Sequence, residues 1–460
     1  MNAAPAEMVL DLVRAAAPDA EAEVVAESAD LGLTRFANSY IHQNVSDATT
    51  SVGLRLHAAG GTATGYTSRA DRDGLADLVD RTLAAARLSP PDRRWAGLTP
   101  PTTVPDLAGR DEATASASPA ERAERVRAFV DATAGLEAAG YCQTLGWTVT
   151  FANSAGHAAS ARTAAATMDA IARDGLSDGL ARLSVRRLAD LDGALLGERA
   201  ARKARAGRDP VELPPGRYEV ILEPTAVADV LLMVAGYGLN AKAVAERRSF
   251  VELGSAQFDP AVSLVDDPAE VDGPALPFDV EGTPHRRTVF VAAGAVRSLA
   301  HDRRTAAPAG TVSTGHAVPG GAAAGAVPAG LTLLPAPGPA RAERAPTGPE
   351  ADASVAELVG QVARGLLVTD TWYTRVLDPR TLVVTGLTRN GVWLIEDGAV
   401  TRPVQNLRFT QSYPLALAPG SVLGVGSSAP TLPASWGATL SYRAPALRLA
   451  AWNYTGNASG

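Results

Sequence analysis

The side chains able to hold a metal or act as nucleophiles are few and scattered along this sequence. There are six histidines, at positions 42, 57, 157, 285, 301 and 316, and one cysteine, Cys142. A hydrolytic zinc site needs two or three converging imidazole or carboxylate ligands, commonly two histidines one helical turn apart. Neighbouring histidines here lie at least fifteen residues apart, so no helix carries two and no local metal motif exists. Convergence of His301 and His316 through folding stays open. Ser313, His316 and Asp302 supply the residue types of a nucleophilic triad, but nearness in sequence does not make one. Residues 320–325 have the glycines of a phosphate loop without the following Lys-Ser/Thr or a strand–helix frame, and read as a flexible loop. A single cysteine excludes a disulfide scaffold, an iron–sulfur cluster and a Cys-rich zinc module. Cys142 has no histidine near it in sequence and reads as a small packed hydrophobe.

The chain that must position these groups has 460 residues, 46% hydrophobic and 20% charged, with a net charge of −7. That describes a globular protein of two or three domains. The acidic balance gives no support for nucleic-acid binding. The basic run at 199–208 reads as a solvated helix end or interdomain linker rather than a phosphate patch. Lys203 and Lys242 are the only lysines in an Ala- and Arg-rich chain, an associational sign of a high-GC bacterial genome. Glu7, Asp11 and Asp19 interrupt any signal-peptide profile, and no run approaches the roughly 18 apolar residues of a membrane span. The expectation is a cytoplasmic protein.

Hydrophobic spacing predicts amphipathic helices at 5–16 and 73–88, with strands at 22–26, 31–36, 40–45, 50–57 and 62–67 between them. The plan then repeats. Pro5-Ala6-Glu7 recurs as Pro119-Ala120-Glu121, Phe36-Ala37-Asn38-Ser39-x-x-His42 as Phe151-Ala152-Asn153-Ser154-x-x-His157, and Leu75-Ala76-Asp77-Leu78 as Leu188-Ala189-Asp190-Leu191. The offsets stay within 113 to 115 residues, which argues for an internal duplication. Residues 1–208 are therefore expected to form one duplicated α/β domain, with halves at about 1–100 and 115–205. His42 and His157 then read as parts of a repeated turn, not as catalytic groups.

From residue 209 to 460 the texture changes to strands punctuated by Gly and Pro. A strand is expected at 217–222 and a helix from 225 to about 245. Further strands are expected at 262–265, 288–292, 295–300, 366–371, 381–387, 391–395, 399–404 and 407–413, with a short helix at 355–362. Asp397-Gly398 signals a two-residue hairpin. The whole reads as α+β, its second domain mainly antiparallel β, either a barrel or a layered sheet. The stretch 305–353 would be a long loop, functional or mobile.

Several strings together resemble the TldD/PmbA family of bacterial peptidase proteins. They are Leu33-Thr34-Arg35-Phe36-Ala37-Asn38, Leu213-Pro214-Pro215-Gly216-Arg217-Tyr218, Ser313-Thr314-Gly315-His316, Gly365-Leu366-Leu367-Val368-Thr369 and Ile395-Glu396-Asp397-Gly398. They run in consistent order along nearly the whole chain. The resemblance implies two arms. TldD carries a His-Glu-x-x-x-His helix and a distant Cys that bind a catalytic metal, whereas TldE/PmbA lacks them and assembles with TldD as a heteromeric peptidase. The corresponding helix here reads Leu231-Leu232-Met233-Val234-Ala235-Gly236-Tyr237-Gly238-Leu239, without His, Glu or Cys. The resemblance thus implies a TldE-like subunit with no catalytic or metal residues of its own, the zinc being expected in a TldD-like partner. His301, Arg303, Arg304, Ser313, Thr314, Gly315 and His316 are the candidates for lining the peptide cavity or contacting that partner. Two other readings stand beside this one: a stand-alone peptide-binding or scaffold protein, and an independent hydrolase using Ser313 and His316.

Overall fold

The computed structural model describes residues 4–107, 110–337, 348–433 and 441–458. Six strands, β1 (Glu21–Ala37), β2 (Tyr40–Ala58), β3 (Gly61–Thr67), β4 (Glu137–Asn153), β5 (Ala158–Asp174) and β6 (Ser177–Val185), form one antiparallel sheet in the order β3-β2-β1-β4-β5-β6. Two meanders, β1–β3 and β4–β6, thus meet along the β1–β4 pair. Strand runs that look separate in sequence fuse here, because the polar residues between them stay in the ladder, as in Glu27 opposite Ser51 and Ala29 opposite Thr49.

Alternation along β1 assigns its two faces. Val24 and Ala26 pack with Val9, Leu54 and Leu78 beneath the helices Ala4–Ala16 and Arg72–Leu88. Val25 points the other way and joins Val149, Phe151 and Phe278, so this part of the sheet carries the C-terminal half of the chain on its second face. The two Phe-Ala-Asn-Ser strings both form turns. Asn38 and Ser39 have φ of 49° and 63°, and Asn153 Oδ1 accepts from the amides of Ala155 (3.1 Å) and His157 (3.0 Å).

The remaining strands are β7 (Gly216–Leu222), β8 (Leu264–Asp266), β9 (Thr288–Ala292), β10 (Ala295–Val296), β11 (Leu331–Leu333), β12 (Arg364–Asp378), β13 (Val383–Glu396), β14 (Ala399–Pro403), β15 (Leu407–Ser412), β16 (Val422–Val425), β17 (Thr431–Pro433), β18 (Ser441–Arg443) and β19 (Leu447–Asn457). Strands β12-β7-β19-β15-β13 follow one another, and the β12–β13 pair closes them into a five-stranded barrel. Only its β7–β12 pair is parallel. A second sheet runs β10-β9-β8-β11-β18-β17. The Asp397-Gly398 turn has φ of 49° and 76°, as the expected hairpin between β13 and β14 requires.

Three sequence expectations are revised. The helix expected from 225 to 245 ends at Met233, passes through a five-residue π turn, Val234–Gly238, and restarts as Ala241–Ala245 under an Asn240 cap. Gly236 and Gly238 withdraw the side-chain support a continuous helix would use. The basic run is not merely solvated. It lies on the helix Gly193–Ala206, where Lys203 is buried and ion-paired with buried Glu223, with Thr369 Oγ1 as a second partner. The 305–353 stretch is not one long loop either: it contains the turns Arg303–Ala306 (from its start) and Gly321–Ala324, and strand β11, while 338–347 lie outside the described residues.

Candidate functional site

Asp266 ends β8, between Thr288 of β9 and Leu331 of β11, and its side chain is fully buried. Two loops deliver imidazoles to it. His285 follows a tight hairpin in which Asp279 Oδ1 accepts from the amides of Glu281 and Thr283, both at 2.9 Å. Asp279 Oδ2 accepts from the Ala317 amide at 2.9 Å and so ties that hairpin to the loop carrying His316. His285 Nε2 lies 3.1 Å from Asp266 Oδ1, and His316 Nε2 lies 3.4 Å from Asp266 Oδ2. The two rings stand edge to face with centroids 4.6 Å apart. Burial alone would raise the Asp266 carboxyl, yet the two imidazoles hold it well below the usual carboxylate range. For His285, burial opposes the charge, but the Asp266 carboxylate outweighs it and raises the pKa. Burial dominates at His316 and lowers it.

Among the described residues this is the one group of three His, Cys, Asp or Glu side chains close enough to share a metal ion. It brings His316 together with His285 and Asp266, not with His301. The expectation of no metal-ligating residues in this chain therefore meets a donor set that sequence spacing concealed. Nineteen residues separate Asp266 from His285, and 31 more separate His285 from His316. The pairing of β8 with β9 and β11 and the Asp279–Ala317 bond between the two loops unite them.

Of the other expected site residues, Thr314 and Gly315 contact this cluster, while Arg303 and Arg304 line the cavity beside β1–β3. His301 O accepts from the Thr314 amide (3.0 Å) and Ser313 Oγ (3.0 Å), and the His301 amide donates to Thr314 Oγ1 (2.9 Å). Thr314 Oγ1 also contacts His316 Nδ1 at 2.8 Å. Ser313 is thus committed to a backbone carbonyl, His316 is paired with Thr314 and Asp302 caps the turn Arg303–Ala306, so the three do not assemble as a triad. Arg303 donates to the carbonyls of Ala96 (3.0 Å) and Gly97 (3.2 Å), and Arg304 pairs with Asp92 at 2.8 Å. Both arginines fasten the C-terminal loop to the N-terminal sheet region.

Two cavities flank these walls. One, of about 240 Å³, is bounded by Val25, Glu27, Trp147, Val149 and Phe278 together with Asp266, His285 and His316. The other, of about 540 Å³, lies between β1–β3 and the loops bearing Arg303 and Gly320, with Tyr66, Trp95 and Glu281 in its lining. On its floor Arg55 bridges Glu23 (2.6 Å) and Glu281 (2.9 Å). Burial, reinforced by the Glu281 carboxylate and only partly offset by Arg55, raises Glu23 to about 7.

The remaining titratable candidates are structural. His157 accepts from the Thr102 amide (3.4 Å) through Nδ1 and donates through Nε2 to the Gly282 carbonyl (2.8 Å). His57 stacks on Trp95, and His42 is exposed beside Tyr40. Cys142 is fully buried, and burial pushes its thiol up to about 12.

The family models place this chain in a metallopeptidase-related class. The chain belongs to the PmbA/TldD family: the model of the PmbA/TldA metallopeptidase C-terminal domain matches residues 215–456, more than half the sequence, and that of domain 1 matches residues 22–86. Among solved structures the chain is similar to TldE from Thermococcus kodakarensis (TM-score 0.84, 17% identity), covering 98% of this chain and 100% of that one. It is also similar to a protein from Thermotoga maritima described as a candidate modulator of a DNA gyrase (TM-score 0.81, 18% identity, 98% and 100% covered). A metalloprotease from Methanothermobacter thermautotrophicus is 29% identical over 128 residues, and the match spans only 27% of each chain. No helix among the described residues is long and apolar enough to cross a membrane.

Proposed function

We propose that this chain is the non-catalytic subunit of a TldD/TldE-type heteromeric metallopeptidase, shaping the cavity that holds an extended peptide for a TldD-like partner to cleave. The observation that carries this reading is the helix Pro224–Met233 with its π turn. Leu231, Leu232, Met233, Val234, Ala235 and Leu239 are all buried in the core there. The one acidic group of the helix, Asp229, is held by Thr374 Oγ1 (2.9 Å) and Tyr413 OH (3.2 Å). A segment of this kind has neither imidazoles for a metal nor a free carboxylate for a general base. The likeness of the fold to TldE supports the same reading.

The cavity of about 540 Å³ is the surface offered to substrate. An extended peptide is held by backbone hydrogen bonds along strand edges and by pockets for alternate side chains. Here Tyr66 and Trp95 provide apolar contact, and the Glu23–Arg55–Glu281 group provides polar contact. Arg303 and Arg304 act by fixing the wall.

The test is co-expression of the tagged full-length chain with the family member of its own organism that bears His-Glu-x-x-x-His. Co-elution in a fixed ratio is expected, with peptidase activity in the complex. Elution of this chain alone under every such condition would overturn the proposal.

A further inference from the structure

We propose that Asp266, His285 and His316 form a binding site for one divalent transition-metal ion of the zinc class, separate from the helix Pro224–Met233. Four-coordinate zinc holds its ligand atoms at about 2.0–2.1 Å, which at tetrahedral angles spaces them by roughly 3.3 Å. The two imidazole nitrogens stand 3.1 Å and 3.4 Å from the Asp266 carboxylate oxygens. One ligand atom from each of the three residues lies within 4.8 Å of the other two.

A buried nitrogen also lacks a well-aligned hydrogen bond. The His316 side chain is fully buried, and its Nε2 makes no well-aligned hydrogen bond, standing 3.4 Å from Asp266 Oδ2. Either tautomer leaves a deficit. As an acceptor, Nε2 opposes a carboxylate oxygen at 3.4 Å; as a donor, its N–H misses hydrogen-bond alignment with that oxygen. Such a deficit is unfavourable in a buried site. A cation between the nitrogen and the carboxylate removes it.

Metal-binding imidazoles are held by a hydrogen bond at their other nitrogen. His316 Nδ1 meets Thr314 Oγ1 at 2.8 Å, the backbone of Leu276 hydrogen-bonds the His285 ring, and Asp266 Oδ2 accepts from the Gly330 amide at 3.0 Å. Three protein ligands leave a fourth position for water or an anionic oxygen ligand, and all three residues line the cavity of about 240 Å³. The rival arrangement is a buried Asp–His ion pair with no metal.

The experiment uses the full-length chain purified without a partner, so its outcome is independent of the subunit proposal. The protein is stripped with a chelator, dialysed against Zn²⁺ or Co²⁺, and analysed for metal content and for the visible Co²⁺ spectrum. One equivalent per chain is expected, with a tetrahedral Co²⁺ band and a melting temperature that rises with Zn²⁺ concentration. His316→Asn and His285→Gln, each checked for native circular dichroism, are expected to lower uptake at least tenfold and abolish the Zn²⁺-dependent rise. Absence of stoichiometric uptake by the unmodified chain overturns the site and leaves an ion pair only. Unchanged uptake in both variants overturns it equally.

Discussion

A β-carbon on Gly315 would lie 2.8 Å from His285 Cα and 2.4 Å from the Pro284 carbonyl oxygen. Gly315 also has φ of +78°, a conformation side-chain-bearing residues rarely adopt. The loop carrying His316 can therefore press against the loop carrying His285 only through a glycine. Gly315→Ala is expected to cost at least about 1–3 kcal/mol from the backbone conformation alone. Calorimetry should show a lower melting temperature; an unchanged one would mean that the two loops are not in this contact.

Lys203 and Glu223 join the helix Gly193–Ala206 to the start of the helix Pro224–Met233, with side chains only 2% and 1% exposed. Removing one partner of such a pair leaves a buried charge, at a cost of about 3–5 kcal/mol. Lys203→Met should destabilise by that order in denaturant melts. Adding Glu223→Gln should recover much of the loss, and an equally unstable double variant would contradict this account.

Glu23 gives the pH dependence a definite sign. Its folded-state pKa, about 7, lies above the ordinary 4.5, so the folded chain holds this proton more tightly than the unfolded one. The corresponding stability is fully present below about pH 4.5 and is lost as pH rises through about 7. Glu23→Gln removes that loss. Melting temperatures of variant and parent should therefore diverge in the variant's favour as pH rises across this window. Parallel curves would show that Glu23 is ionised throughout.

Cys142 pairs burial with a thiol pushed up to about 12, so little thiolate forms near neutral pH. Native protein should react with a thiol reagent only on the timescale of unfolding, and denatured protein at once. Rapid reaction of the native chain would mean that β4 opens readily.

Local signals in the sequence made part of this structure legible. The repeated Phe-Ala-Asn-Ser strings do form turns, Asp397-Gly398 does close a hairpin, and alternation does separate Val24 from Val25. Thr314 contacts His316, a member of the cluster, at 2.8 Å, but no reading of the sequence joined that histidine to Asp266 and His285. Asp266 and His285 were not legible, because β8 is three residues long and neither side chain belongs to a periodic pattern. They meet through the pairing of β8 with β9 and β11 and the contacts between the two loops. The burial of Lys203 was hidden for the opposite reason: it sits in a run whose charge density reads as solvated, and its partner lies 20 residues away.

The central claim is that this chain completes a partner's peptidase without supplying the catalytic helix. Peptide hydrolysis measured with the His-Glu-x-x-x-His family member alone, with this chain alone and with the two mixed tests it most directly. Hydrolysis is predicted only in the mixture, saturating as this chain is titrated in. Equal hydrolysis by the partner alone, or hydrolysis by this chain alone, would contradict the account.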